Sequence, residues 1–158
     1  MHFGKKIGDK LRNNGAFLGL DYSPGYGDMN GQSHRESLKK NQDGDWVISS
    51  LDRDSFRDPM TETVYSVSDE AVKRFLAFIN QNNVLSLADR RKSDLFVTDY
   101  SPWRWVFRFG DPATGRRPES YQLWEYNEYS DNDNRLLKEL NDRFKSLHGA
   151  IISKKKVD

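Results

Sequence analysis

Along the chain the spacing of apolar residues changes several times, and each change marks an element. Phe3, Ile7 and Leu11 recur at every fourth position among Lys5, Lys6, Lys10 and Arg12, which predicts a short N-terminal amphipathic helix closed by Asn13-Asn14-Gly15. Leu18, Leu20 and Tyr22 then alternate with Gly19 and Asp21, the period of a strand. The segment PGYGDMNGQ breaks regular structure with its glycines and proline. HRESLKK and DWVISSLD flank NQDG and predict a hairpin with an Asp-Gly turn. With Lys40 opposite Trp46, the register brings Leu38 against Ile48 and Glu36 against Ser50. ETVYSV predicts a further strand after a loop at Asp58-Pro59.

The period then becomes helical over 69–82. Ser68 suits the cap, and Asp69 and Glu70 suit the positive end of the dipole. Val67 and Val72 match a hydrophobic staple. Val72, Phe75, Leu76 and Ile79 form the expected buried stripe with Phe78 at its shoulder, and Asn82-Asn83 offers a left-handed exit. A second helix is predicted over 131–148, with Ser130 as cap and Asp131 and Asp133 behind it. Leu136, Leu137, Leu140, Phe144 and Leu147 make its apolar face, and Gly149 stops it.

Between the helices, after a short stretch LFVTDY, lies TDYSPWRWVFRF, Thr98 to Phe109, with rings and arginines interleaved. Read at period two, Trp103, Trp105, Phe107 and Phe109 share one face while Arg104, Val106 and Arg108 share the other. SYQLWEYNEY follows as a partner strand. Placing Phe109 opposite Ser120 sets Trp105 against Trp124, Trp103 against Tyr126, Val106 against Leu123 and Arg104 against Glu125. That register matches rings with rings and a cation with an anion. The resulting expectation is an α+β fold: an antiparallel sheet of about five or six strands with helices 69–82 and 131–148 on one face. Residues 1–150 read as a single domain and 151–158 as a basic, frayed tail.

Composition narrows the picture. Mean hydropathy is −0.89, yet aromatic residues make up 13% of the 158 residues, so a few large rings can build the core. The 25 basic and 24 acidic residues nearly cancel, to +1. A nucleic acid is therefore not an expected partner, since its binders carry a basic excess or stripe. The absence of cysteine excludes disulfides and thiolate chemistry. No apolar run has the length of a signal peptide or a membrane span, which gives cytoplasmic as the expected location.

Candidate chemistry is sparse. His2 is terminal, and His148 stands beside a helix stop, where positive charge suits the dipole. His34 is the most informative histidine because Asp28, Ser33 and Glu36 are close in sequence. Ser33 and His34 point to opposite strand faces, against a triad, whereas His34 and Glu36 share a face and with Asp28 could hold a metal. The many aspartates are accounted for by turns and caps, and no phosphate loop, nucleophile elbow or complete calcium loop is present. No catalytic residue and no cofactor is assigned.

In the order MHFGKKIGDKL, YSPGYGDMNGQSHRESLKK, DGDWVISS, NQNNVLSL, DYSPWRWVFRF, EYNEY and LLKELNDRF, the chain resembles a group of small bacterial domains of Firmicutes type. The resemblance covers nearly the whole chain through element order and aromatic positions. It implies an α+β fold and, because those domains carry no established activity, transfers no site residue. The expected function is a non-catalytic protein-interaction module. Its surface would be the segment Tyr22–Gln32, with Tyr26, together with the sheet face of Arg104 and Arg108. The alternative is a small-molecule or glycan-binding domain, with any hydrolytic capacity residing in Asp28, His34 and Glu36.

Overall fold

The computed structural model of the protein describes residues 16–25, 32–93 and 102–157. The N-terminal helix, the LFVTDY stretch, Tyr26 and Asp28 lie outside those residues. Among the described residues seven strands form one sheet: β1 Ala16–Ser23, β2 Ser33–Lys40, β3 Trp46–Arg53, β4 Met60–Ser66, β5 Arg104–Gly110, β6 Glu119–Trp124 and β7 Ile151–Val157. Their spatial order is β6-β5-β1-β2-β3-β4-β7, and every neighbouring pair is antiparallel. The class is α+β, but the expected count of five or six strands is corrected to seven. Part of the correction comes from the segment read as a frayed tail. It is β7, paired with β4 from Met60↔Val157 to Tyr65↔Ile151. An edge strand satisfies its backbone on one side only and needs little apolar content, so a lysine-rich sequence concealed it.

Two helices, α1 Asp69–Gln81 and α2 Asp131–Lys145, carry the chain across the sheet. β1 to β4 form a meander. α1 returns the chain to the far side of β1, where β5 and then β6 add, and α2 runs from the β6 edge to the β7 edge. Both helices pack on the same face. Leu20, Leu38 and Ile48 stand directly across from one another and are fully buried. Phe144 of α2 meets Trp105 edge-on at 5.3 Å and Phe75 of α1 at 6.3 Å. Ser68 accepts from the Ala71 N–H as the cap of α1, and Val67 and Val72 are both buried. Phe78, not Leu76, completes the buried stripe, because α2 covers that side: the Arg143 guanidinium lies 4.4 Å from the Phe78 ring centre. Asn83 takes the left-handed conformation, φ 53°, and starts a 3-10 turn, Val84–Asp89, that sends Val84, Leu85 and Leu87 into the core.

The β2–β3 register is the expected one, Lys40↔Trp46, Leu38↔Ile48 and Glu36↔Ser50. Asn41 closes the turn: its carboxamide oxygen accepts from the N–H groups of Asp43 and Asp45, and its carbonyl from that of Gly44. The β5–β6 register differs by one residue from expectation. Trp105 faces Leu123, Phe107 faces Tyr121, Phe109 faces Glu119 and Arg104 faces Trp124. Leu123 thereby becomes fully buried, and Trp124 moves to the arginine side. The ladder ends at Trp124, where the Asn127 N–H returns to the Trp124 carbonyl, so Tyr126 never stands opposite Trp103. Glu125 instead accepts the Trp103 N–H at 3.2 Å. In β1 the simple alternation also fails. A bulge between Phe17 and Gly19 turns both Phe17 and Leu20 into the core. Gly19 sits at φ +149° with its hypothetical Cβ 2.4 Å from the Leu38 carbonyl oxygen, a place no larger residue fits.

α2 ends at Lys145, three residues before the expected 148. The chain then turns, Leu147 enters the core, and the Gly149 N–H donates to the Ser66 carbonyl at 2.9 Å. A Cβ on Gly149 would lie 2.4 Å from that same oxygen, so this glycine serves close approach to β4 as well as helix termination.

Candidate functional site

Polar side chains collect in two places beside the helix-covered face. The first continues the sheet's core rows outward. Leu38, Glu36 and His34 project to one side of β2. Across the strands, Leu20–Leu38–Ile48–Tyr65 is followed by Tyr22–Glu36–Ser50–Thr63 and then by His34–Asp52–Thr61. Glu36, Ser50 and Thr63 are all buried.

His148, just past α2, completes this row. Its Nε2–H donates to Glu36 Oε2 at 2.7 Å and its Nδ1–H to the Lys145 carbonyl at 2.9 Å, while the Tyr65 ring meets it edge-on at 4.8 Å. On the other side His34 Nε2 lies 3.7 Å from Glu36 Oε1, and Nδ1 hydrogen-bonds the Asp52 carboxylate. The His148 ring has an acceptor at each nitrogen, and the carboxylates of Glu36 and Asp52 flank the His34 ring, surroundings that favour the protonated imidazole in both. The Glu36 carboxylate beside it, opposed by burial and reinforced by Asp52, pushes His34 up to about 9. The bond to Glu36 likewise raises His148. Burial alone would raise the Glu36 carboxyl, but the bond from His148 and the nearby His34 ring overcome it and hold the group at about 2. With both rings protonated, their charges would balance those of Glu36 and Asp52. An imidazolium has no lone pair for a metal or for accepting a proton. Among the described residues no three His, Asp or Glu side chains are arranged to hold a metal ion.

Of the sequence-derived candidates, His34 and Glu36 are brought together here, while Tyr26 and Asp28 lie outside the described residues. Asp52 and His148 were missed. The first was legible, because extending the Lys40↔Trp46 register by six pairs sets His34 opposite Asp52. Nothing local signals the second, which is 112 residues from Glu36. Arg104 and Arg108 lie on the opposite face of the sheet. Arg108 pairs with Asp21, which also accepts the Ser37 hydroxyl at 2.7 Å. Burial works against the Asp21 charge, and the bonds from Arg108 and Ser37 bring its carboxyl below the ordinary value. Arg104 is exposed at the start of β5.

The second place is a cleft between the β1/β5 end of the sheet and α2, with a volume of about 320 Å³. Tyr22, Pro24, Trp103 and Trp105 form one wall; Asn134, Leu137, Lys138 and Asn141 form the other. Tyr22 stacks on Trp105 at 4.0 Å and Trp103 on Tyr129 at 5.9 Å, so the rings hold one another in position. The helix wall is anchored by reciprocal capping between Ser130 and Asp133 and by a two-pronged pair from Arg90 to Asp133 at 2.8 and 3.0 Å. Asn141 Oδ1 is shielded from solvent and has no hydrogen-bond partner among the described residues. A second concavity, about 340 Å³, lies under the Asn41–Asp45 turn. Two of its polar side chains are already engaged, Asn41 in the turn and Ser68 in the α1 cap.

Comparison of the chain with family models, with curated proteins and with solved structures finds no match in any of the three. Among the described residues no helix is long and apolar enough to cross a membrane.

Proposed function

We propose that the protein is a non-catalytic binding module that recognises a protein partner through the cleft between α2 and the β1/β5 end of the sheet. The observation that carries the reading is the cleft's pairing of an aromatic wall with a wall of carboxamides and one lysine. Concave, largely pre-formed sites with a few polar groups among rings are the usual form of a binding site. The His34–Glu36–His148 row supports the reading from the other side. Its charges are spent on one another, and it fastens the end of α2 to the sheet, so it serves as the cleft's scaffold.

A fragment screen read by NMR tests this. Hits should perturb the Trp103 and Trp105 indole N–H signals and the Asn134 and Asn141 carboxamides, and Trp103→Ala should abolish those responses. The reading fails if no fragment perturbs these signals, or if the hits move the imidazole signals of His34 and His148 instead.

A further inference from the structure

We infer that the outer edge of β7 takes one more strand, an extended acidic segment of a partner protein running antiparallel to it. Carboxylates of that segment stand opposite Lys154 and Lys156, and an apolar side chain nearer its C-terminal end enters the concavity beside Ile152. This surface lies at the opposite side of the sheet from the cleft and does not depend on it.

Among the described residues β7 ends the sheet, and Ile151 through Lys156 are exposed, so its outward backbone groups have no strand beside them. The other edge differs. On β6 the Tyr129 hydroxyl accepts the Trp124 N–H at 3.1 Å and donates to the Trp124 carbonyl at 2.9 Å. An edge that takes a strand gains affinity from main-chain bonds and selectivity from the side chains and pockets along it. Along β7 these change character from one end to the other. Lys154 and Lys156 stand across from Thr63 and Thr61 on the helix-covered side, and Lys155 across from Glu62 on the opposite side. Lys155 already leans to Glu62 at 3.7 Å, so Lys154 and Lys156 select the charge of the partner. At the start of the strand Ile151 and Ile152 are exposed. Ile152 lines the concavity of about 340 Å³ with Trp46 and Val67, and the same concavity carries Asp45 and Asp69. That end favours an apolar residue and repels a carboxylate. Every pair in this sheet is antiparallel, and in an antiparallel partner the acidic residues then come first and the apolar ones follow. A second copy of the chain is not the occupant. Two β7 strands paired antiparallel about Lys154 would set that lysine against its own copy and Ile152 against Lys156. Edge lysines turn away strands of ordinary composition, and carboxylates at the matching positions convert that repulsion into cross-strand pairing.

The test uses the full chain and capped peptides of about eight residues, a little longer than a typical strand, read by NMR. The first peptide has glutamates in its N-terminal half and valine and isoleucine in its C-terminal half. A second has the same residues in reverse order, and two more carry N-methyl groups on alternate amides in the two possible phases. The first should bind saturably, shift the backbone amides of residues 151–157 and slow their hydrogen exchange. The reversed peptide should bind about tenfold more weakly. N-methylation in one phase should abolish binding and in the other leave it, because only alternate amides of an added strand face the edge. Lys154→Glu combined with Lys156→Glu, both at exposed positions, should weaken the first peptide about tenfold and favour a lysine counterpart. Unchanged Trp105 and His148 signals would show that this variant is folded. The inference is overturned if the first peptide does not bind, if the reversed peptide binds as tightly, or if both phases of N-methylation act alike. It is also overturned if an oligothymidylate binds the same residues as tightly as the first peptide, since the edge would then be a general polyanion site.

Discussion

Glu36 is one of the two carboxylates buried among the described residues. It is buried, yet it stays ionised because His34 and His148 hold it from two sides. The pH dependence follows from the directions of the shifts. His34 is raised to about 9 from an ordinary 6.5, so its contribution to stability is complete below 6.5 and is lost as pH climbs through 9. Glu36 is lowered to about 2 from an ordinary 4.5, so its contribution is complete above 4.5 and is lost as pH falls towards 2. The row as a whole stabilises most between 4.5 and 6.5. Glu36→Gln leaves two half-buried imidazoles with a weakened claim to their protons, and should cost about 2–4 kcal/mol in that window. Urea unfolding across the alkaline range should then show a much shallower loss of stability than the wild type, and the His34 titration should move back towards 6.5. An unchanged alkaline slope would show that the row does not couple protonation to folding.

At the scale of elements, the β2–β3 hairpin was legible because a short turn with Asn41 and Gly44 fixes register outright. The β5–β6 pair was not, because the long connection from Asp111 to Pro118 leaves register to the strands. Matching rings across the ladder offers only about 1 kcal/mol per pair. That is less than burying Leu123 completely, worth about 1.5–3 kcal/mol, and burial prevailed. The same balance accounts for the candidate site. Its aromatic wall could be read as a core strand, and its polar wall, Asn134, Lys138 and Asn141, reads in sequence as the ordinary wet side of a helix. Only the crossing of α2 over the β1/β5 end joins them. The β1 bulge is a further case of an element set by its surroundings. Gly19→Ala should cost about 2–4 kcal/mol, from an unfavourable φ and from a Cβ against the Leu38 carbonyl. Thermal unfolding measures it, and a loss below the roughly 0.5 kcal/mol of a neutral surface change would mean that the bulge relaxes.

For the whole molecule the decisive feature is how the sheet is closed at its sides. β7 is exposed along nearly its full length, with Ile151 and Ile152 each 58% accessible, and Lys154, Lys155 and Lys156 stand where another strand would have to dock. Lysines on an edge discourage further pairing. Lys155 also reaches Glu62 of β4 at 3.7 Å. Removing residues 151–158 should lower stability by about 1–3 kcal/mol through the lost ladder and should expose β4 as a new, less protected edge. Urea titration and light scattering at rising concentration would register both effects. A truncated chain that stays monodisperse and equally stable would show β7 to be dispensable.

The strand order also governs the time course of folding. β1 gains its second neighbour only when β5 arrives, and the Arg108–Asp21 pair that ties them spans 87 positions of chain. The His148–Glu36 bond spans 112. Such high contact order means that loop-closure entropy is spent before most of the stabilising contacts form. During synthesis the β1–β4 meander leaves the ribosome with the inner edge of β1 open, so the nascent chain's greatest exposure to misassociation falls in the interval before β5 follows.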